Sequence, residues 1–163
     1  MTIICDATAL ILLAKIDLLE TLANRNELAT SPIVYQEVAR GKEKARIDSL
    51  KVEQLVKANK LKIEKPSVGV KIKMEKLFNI KYGELEVISM AFKTRSIILS
   101  DDKKCLNVAK TLRLRFITSL DVVIALYKHK AISRERALEC INLLEEYGWY
   151  SKDIIKEYWR LLK

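Results

Sequence analysis

Glycine and proline are scarce in this chain, four and two among 163 residues, and no stretch is rich in Ser, Gly or Pro. That excludes a flexible linker between modules. With no repeat of solenoid length, the expectation is one globular unit over residues 1–163. No run of about 18 apolar residues occurs. The opening MTIICDATALILLAKIDLLETL carries acids where a secretory leader has a basic head and a small-residue cleavage site. A soluble, cytoplasmic protein without membrane association is therefore expected. Three cysteines, Cys5, Cys105 and Cys140, stand far apart in apolar stretches without CxxC spacing, which argues against structural zinc or a disulfide framework and for buried thiols. The single histidine, His129 in YKHK, leaves no His-based triad unless it acts alone, and neither GxSxG nor a P-loop pattern occurs.

What the chain has in quantity is apolar residues and positive charge. Half of its residues are hydrophobic, enough to bury a core at this length. The formal net charge of +9 favours an anionic partner, nucleic acid before an anionic membrane surface, although much of the Lys and Arg reads as solvated helix surface.

Short β-rich runs at 3–5 (IIC), 28–31 (LATS), 96–99 (SIIL) and 115–118 (RFIT) alternate with longer segments of helical periodicity. The pattern predicts an α/β fold with a parallel sheet. Helices are expected near 8–22, 32–40, 44–58, 67–78, 84–94, 103–111, 120–129, 134–147 and 151–162. Ser31-Pro32 and Ser133 supply starts, Gly148 supplies a stop, and residues 131–163 form a C-terminal helical extension.

Two apolar strands end in aspartate, IICD at Asp6 and SIILSDD at Asp101 and Asp102. In an open parallel sheet the carboxyl ends of the strands share one edge, so Asp6 and Asp102 are expected to be neighbours. Each acid also opens an apolar helical stripe: Asp6 precedes Ala9, Leu10 and Leu13, Asp102 precedes Cys105, Leu106 and Ala109, and Glu84, after Gly83, precedes Val87, Ile88 and Ala91. Glu86 falls about 200° from Glu84 and is expected to be solvated. Glu37 lies within the apolar arc of Ile33, Val34 and Val38, where a carboxylate is costly without a cation.

Singly, Asp6 and Asp102 read equally well as N-caps, Glu84 as a helix-dipole acid and Glu37 as the partner of a buried Lys or Arg. Together, four inward acids near one edge would repel one another unless a metal neutralised them. Oxygen ligands without His or Cys suit Mg²⁺ or Mn²⁺. A basic protein with an acidic pocket fits phosphodiester hydrolysis, with one or two ions activating water.

The pieces ICDATALILLAKIDLLETL, SPIVYQEV, YGELEVISMA and ILSDDKKCLNVAK, in that order, resemble the PIN-domain family, and within it the VapC-like toxin ribonucleases. The resemblance implies a Rossmann-like PIN fold, a parallel sheet of four to five strands flanked by helices. It further implies Mg²⁺- or Mn²⁺-dependent cleavage of single-stranded RNA, an antitoxin protein as partner, and a homodimer. It carries metal-ligand roles to Asp6, Glu84 and Asp102, to Glu37 directly or through water, and more weakly to Asp101. Thr8, Ser100, Ser119 and Asp121 would support metal or phosphate. Lys103, Lys104, Arg113 and Arg115, which follow the acidic edge in sequence, are the candidates for RNA backbone contacts. Glu replaces the family's more frequent Asp at position 84. Two other readings use the same fold: an RNA-processing nuclease, and a catalytically weak PIN domain that binds RNA or a partner. A phosphoryl-accepting receiver domain would place its acidic pair after the first strand; here the pair comes late.

Overall fold

A computed structural model describes residues 1–40 and 47–163. Five short strands, β1 (Ile3–Cys5), β2 (Leu28–Thr30), β3 (Leu61–Ile63), β4 (Ile97–Leu99) and β5 (Phe116–Ile117), form one sheet in the order β3-β2-β1-β4-β5, with every neighbouring pair parallel. β1 is central and wholly buried, as a parallel strand covered on both faces must be. The helices are α1 (Ala7–Lys15), α2 (Leu19–Ala23), α3 (Pro32–Ala39), α4 (Ile47–Lys57), α5 (Val68–Leu77), α6 (Tyr82–Thr94), α7 (Lys103–Thr111), α8 (Ser119–Lys128), α9 (Arg134–Tyr147) and α10 (Lys152–Arg160). The start of the helix expected at 44–58 lies outside the described residues.

Two local expectations change. The helix expected over 8–22 is two helices, because Asp17 adopts φ +57° and Leu18 N–H reaches back to Leu13 O at 3.0 Å. Ile16 and Leu18 are both buried, so the break folds apolar residues inward instead of exposing them. β3 was not anticipated; only Leu61 of its three residues is buried, which is how an edge strand reads in sequence.

The expected caps form. Ser31 Oγ accepts from Val34 N–H at 3.1 Å with Pro32 in the first turn, and Ser133 Oγ accepts from Arg136 N–H at 3.1 Å. Gly148 does end α9, yet at φ −96° it is not left-handed. Its requirement is room: a Cβ there would stand 2.7 Å from Leu144 O and 3.0 Å from the Tyr150 ring.

The buried cluster runs from β1 and β4 through α1, α6 and α8 to Ala137, Cys140, Ile141, Leu144, Ile155 and Leu162. The two C-terminal helices thus share the sheet's core. Arg136 ties them further, its Nη2 donating to Ile16 O at 2.7 Å. All three cysteines are free and buried. Among the described residues no helix is long and apolar enough to cross a membrane.

Candidate functional site

In a sheet ordered 3-2-1-4-5 the chain reverses its direction of winding between β1 and β4, and the crevice outside the carboxyl ends of those two strands is where such folds bind ligands. The register pairs Cys5 with Leu99, and Asp6 N–H donates to Leu99 O at 2.9 Å. The next residues, Asp6 on one strand and Ser100-Asp101-Asp102 on the other, therefore open into that crevice.

Asp6 is 3% exposed. Its Oδ1 accepts from Ala7 N–H at 2.8 Å, capping α1, and its Oδ2 accepts from Ser100 Oγ at 2.9 Å and Thr8 Oγ1 at 3.2 Å. The two hydroxyls also accept from the next strand's loop, Ser100 Oγ from Asp102 N–H and Thr8 Oγ1 from Asp101 N–H, each at 3.1 Å. Thr8 and Ser100 thus lock the two strand ends together around the Asp6 carboxylate. Asp102 caps α7, its Oδ1 accepting from Cys105 N–H at 2.8 Å. The cap reading holds for both aspartates, and it leaves one Asp102 oxygen free of any protein hydrogen bond among the described residues.

Glu37 comes from α3 and meets the first turn of α6, where Gly83 N–H donates to its Oε1 at 3.3 Å. A Cβ on residue 83 would stand 2.7 Å from Glu37 Oε2 and 2.9 Å from Val34 Cγ2, so glycine is what lets α6 approach this carboxylate. Glu84 follows, half-buried. The acids feel one another. Burial, and then the charge of Asp102, raise the Asp6 pKa. Burial, then Asp102, Asp6 and Glu37, raise that of Glu84. Burial, then Asp6 and Glu86, raise that of Glu37.

Several expectations are corrected. Glu86 is not solvated: it is 5% exposed, its Oε2 accepts from Ile33 N–H at 3.1 Å and its Oε1 pairs with Lys71 Nζ at 3.3 Å. The face of α6 turned away from the sheet is covered by α5 and the start of α3, which helical periodicity does not register. Asp101 turns to Ser119, whose N–H and Oγ donate to its two carboxylate oxygens, so Ser119 acts on the acidic edge through Asp101. Burial pushes the Asp101 pKa up to about 6. Asp121 closes a capping box with Thr118 and accepts from Tyr158 Oη at 2.6 Å, and its charge adds to the rise in the Asp101 pKa.

Of the four basic candidates, Lys103 and Lys104 stand at the acidic edge; Lys104 is close enough to Glu84 to offset part of its pKa rise. Arg113 and Arg115 do not. Helix α7 runs nine residues, about 13 Å, back across the sheet before them. Arg115 lies at the entry to β5, its carbonyl accepting from Ile98 N–H and its guanidinium reaching Met1 and Arg95 O. The residue that the sequence did not signal is Trp149, from the C-terminal extension: its Nε1–H donates to Asp101 O.

Among the described residues no basic side chain is ion-paired with Asp6, Glu37, Glu84, Asp101 or Asp102. A nearly fully buried carboxylate such as Asp6, held only by hydroxyls and a backbone N–H beside other acids, is a site short of positive charge. An all-oxygen donor set of this kind suits Mg²⁺ or Mn²⁺. The acids lie within range of one another's charge but not in one ligand shell: no three His, Cys, Asp or Glu among the described residues are gathered closely enough to hold an ion as they stand.

A family model described as a PIN domain matches residues 2–163. Two solved structures share the fold. A chain of VapBC2 from Rickettsia felis, crystallised bound to a DNA fragment from its promoter, is 18% identical at a TM-score of 0.53, covering 72% of this chain and 98% of its own. A PilT N-terminus domain protein from the hyperthermophilic archaeon Sulfolobus solfataricus P2 is 18% identical at 0.51, covering 79% and 96%. No curated protein matches the sequence.

Proposed function

The chain belongs to the PIN-domain family, and on that premise we propose that it is a Mg²⁺- or Mn²⁺-dependent endoribonuclease cleaving single-stranded RNA, the toxin of a toxin–antitoxin pair. The observation that carries this is the buried acidic crevice at the β1/β4 reversal, short of cations in a chain of net charge +9.

Asp6, Glu84 and Asp102 would hold the metal, with Glu37 as a direct or water-bridged fourth ligand. When bound, the ion supplies charge neutralisation for the phosphate oxygens and acidifies an attacking water. The protein's own groups do the rest. Ser100 and Thr8 fix the Asp6 carboxylate, so one of its oxygens is oriented before any ligand arrives. Gly83 admits Glu37 to the crevice. Glu84, whose pKa is raised by burial and by its acidic neighbours in the metal-free protein, would have that charge repulsion relieved by a bound cation. Water attacks phosphorus and gives up a proton to solvent, the bond to the leaving oxygen breaks, and that oxygen takes up a proton from solvent. Lys103 and Lys104, at the rim, meet the flanking phosphates.

Residues 1–163 act as one unit, since the C-terminal helices share the core. Likeness to a VapBC2 chain supports an antitoxin protein as partner; a homodimer and a cytoplasmic setting follow the family resemblance. A second reading, a PIN domain that binds RNA or a partner without efficient catalysis, is favoured by one observation: among the described residues no three acids are drawn together as they stand.

Incubating purified protein with labelled single-stranded RNA separates these readings. Cleavage with Mn²⁺, none with EDTA, and none with Asp102→Asn is the expected result. Asparagine still caps a helix, so the variant removes charge and keeps the fold. Equal cleavage by wild type and variant would assign the activity to a contaminant.

A further inference from the structure

Beside the acidic edge the C-terminal extension builds a second surface. A cleft of about 620 Å³ is lined by Thr8, Lys15, Asp102, Lys103, Tyr147 at the end of α9 and Trp149 just beyond it. Both aromatics are exposed, Tyr147 at 44% and Trp149 at 42%. Each carries an ammonium over its ring: Lys15 Nζ stands 5.3 Å from the Tyr147 centroid and Lys103 Nζ 4.3 Å from that of Trp149.

The indole is held rigidly. Its N–H is committed to Asp101 O, and its ring stacks on the buried Tyr150 with centroids 5.0 Å apart. What remains available is an electron-rich face and two flexible cations, directly continuous with Asp102. That combination matches one nucleotide: a base has a π-face for the indole, and its phosphate has charge for the ammoniums. Most peptides lack that pairing of a flat π-system with an adjacent negative charge.

We propose that this cleft is a nucleobase-stacking subsite, in which Trp149 stacks a base of single-stranded RNA next to the scissile phosphate while Lys103 and Lys15 shift from the rings to its phosphates. The subsite rests on the single-stranded RNA reading above and assigns the C-terminal extension a role in substrate binding. It also explains why two exposed aromatics occur where the extension touches the acidic loop.

The test is binding without catalysis. In a Trp159→Phe background Trp149 is the only tryptophan, since the chain has two. Titration with short single-stranded oligo(A) in EDTA should quench its emission, and an abasic ribose-phosphate of the same length should bind roughly ten-fold more weakly. In the natural background Trp149→Ala should weaken oligo(A) binding roughly ten-fold and leave abasic binding unchanged, whereas Trp149→Phe, which keeps a ring and loses the N–H, should retain most affinity. Circular dichroism melting checks that the Phe variant folds.

Absence of quenching, or equal binding of oligo(A) and the abasic chain, would overturn the subsite. So would a Phe variant as weak as Ala, because the indole would then act only through Asp101. Cleavage plays no part in the readout. A protein that cuts RNA but shows none of these effects keeps its nuclease function and loses the subsite; one that shows them and never cuts keeps the subsite.

Discussion

The two flanks of α6 each take in a glutamate, in opposite ways. On the flank covered by α5 and α3, Glu86 is buried with a lysine and a backbone N–H as partners, and the structure there is complete. On the flank facing the β1/β4 edge, Glu84 has other carboxylates for neighbours, with Lys104 offsetting part of their effect. One acid stabilises the fold, and the other is held where the fold alone gains nothing from its charge. Burial alone therefore does not mark a candidate functional acid. The balance of charge around it does.

The comparison breaks most clearly on charge removal. Asp6→Asn, on the functional side, should reduce metal-dependent RNA cleavage by more than about 100-fold. In the metal-free protein its melting temperature should fall less than that of Glu86→Gln, since removal of a repelled charge offsets the loss of the hydroxyl hydrogen bonds that Oδ2 accepts. Glu86→Gln, on the structural side, should do the reverse: a loss of about 1–3 kcal/mol in urea unfolding, with cleavage per folded molecule close to wild type. If both variants lose activity equally and melt alike, the division of the two flanks is wrong.

A smaller effect sharpens the same division. Gly83→Ala pushes a methyl into Glu37 and Val34, so Mn²⁺ affinity should drop about ten-fold, with only a modest change in stability because Glu37 can swing aside. Unchanged Mn²⁺ affinity would remove Glu37 from the ligand set.

The smallest effect is in pH. Asp101 titrates near 6 in the folded protein against 3.8 for an ordinary aspartate, so its contribution to stability is fully present below about 4 and is lost as pH rises through 6. Asp6, Glu37 and Glu84 shift in the same direction. The metal-free protein should therefore gain stability from pH 7 to pH 5, about 1 kcal/mol of it from Asp101. Asp101→Asn should flatten that part of the rise. A stability that falls over this interval would contradict the pKa directions.

Much of this was legible in the sequence, and what was not has physical reasons. IIC and SIIL followed by aspartate announced parallel strands with acids at their carboxyl ends, because a strand buried on both faces has to be apolar throughout. Ser31-Pro32 announced the start of α3. β3 was hidden because an edge strand buries little, here Leu61 alone. The break at Asp17 was hidden because residues on both sides of it are apolar and buried, so the apolar pattern runs on through the turn. Glu86 was misplaced because periodicity defines one buried face and cannot register a second helix packed on the other. Arg113 and Arg115 were misplaced because nearness in sequence to Asp102 ignores the length of α7. Trp149 depends on a contact across 48 residues, which no local pattern carries.

The central claim is that the β1/β4 acids form a site awaiting a divalent cation. Calorimetric titration of the metal-free protein with Mn²⁺ tests it most directly. The account predicts saturable binding by the wild type and by Glu86→Gln, and none by Asp6→Asn. Equal Mn²⁺ binding by the wild type and Asp6→Asn, or no binding by either, would contradict it.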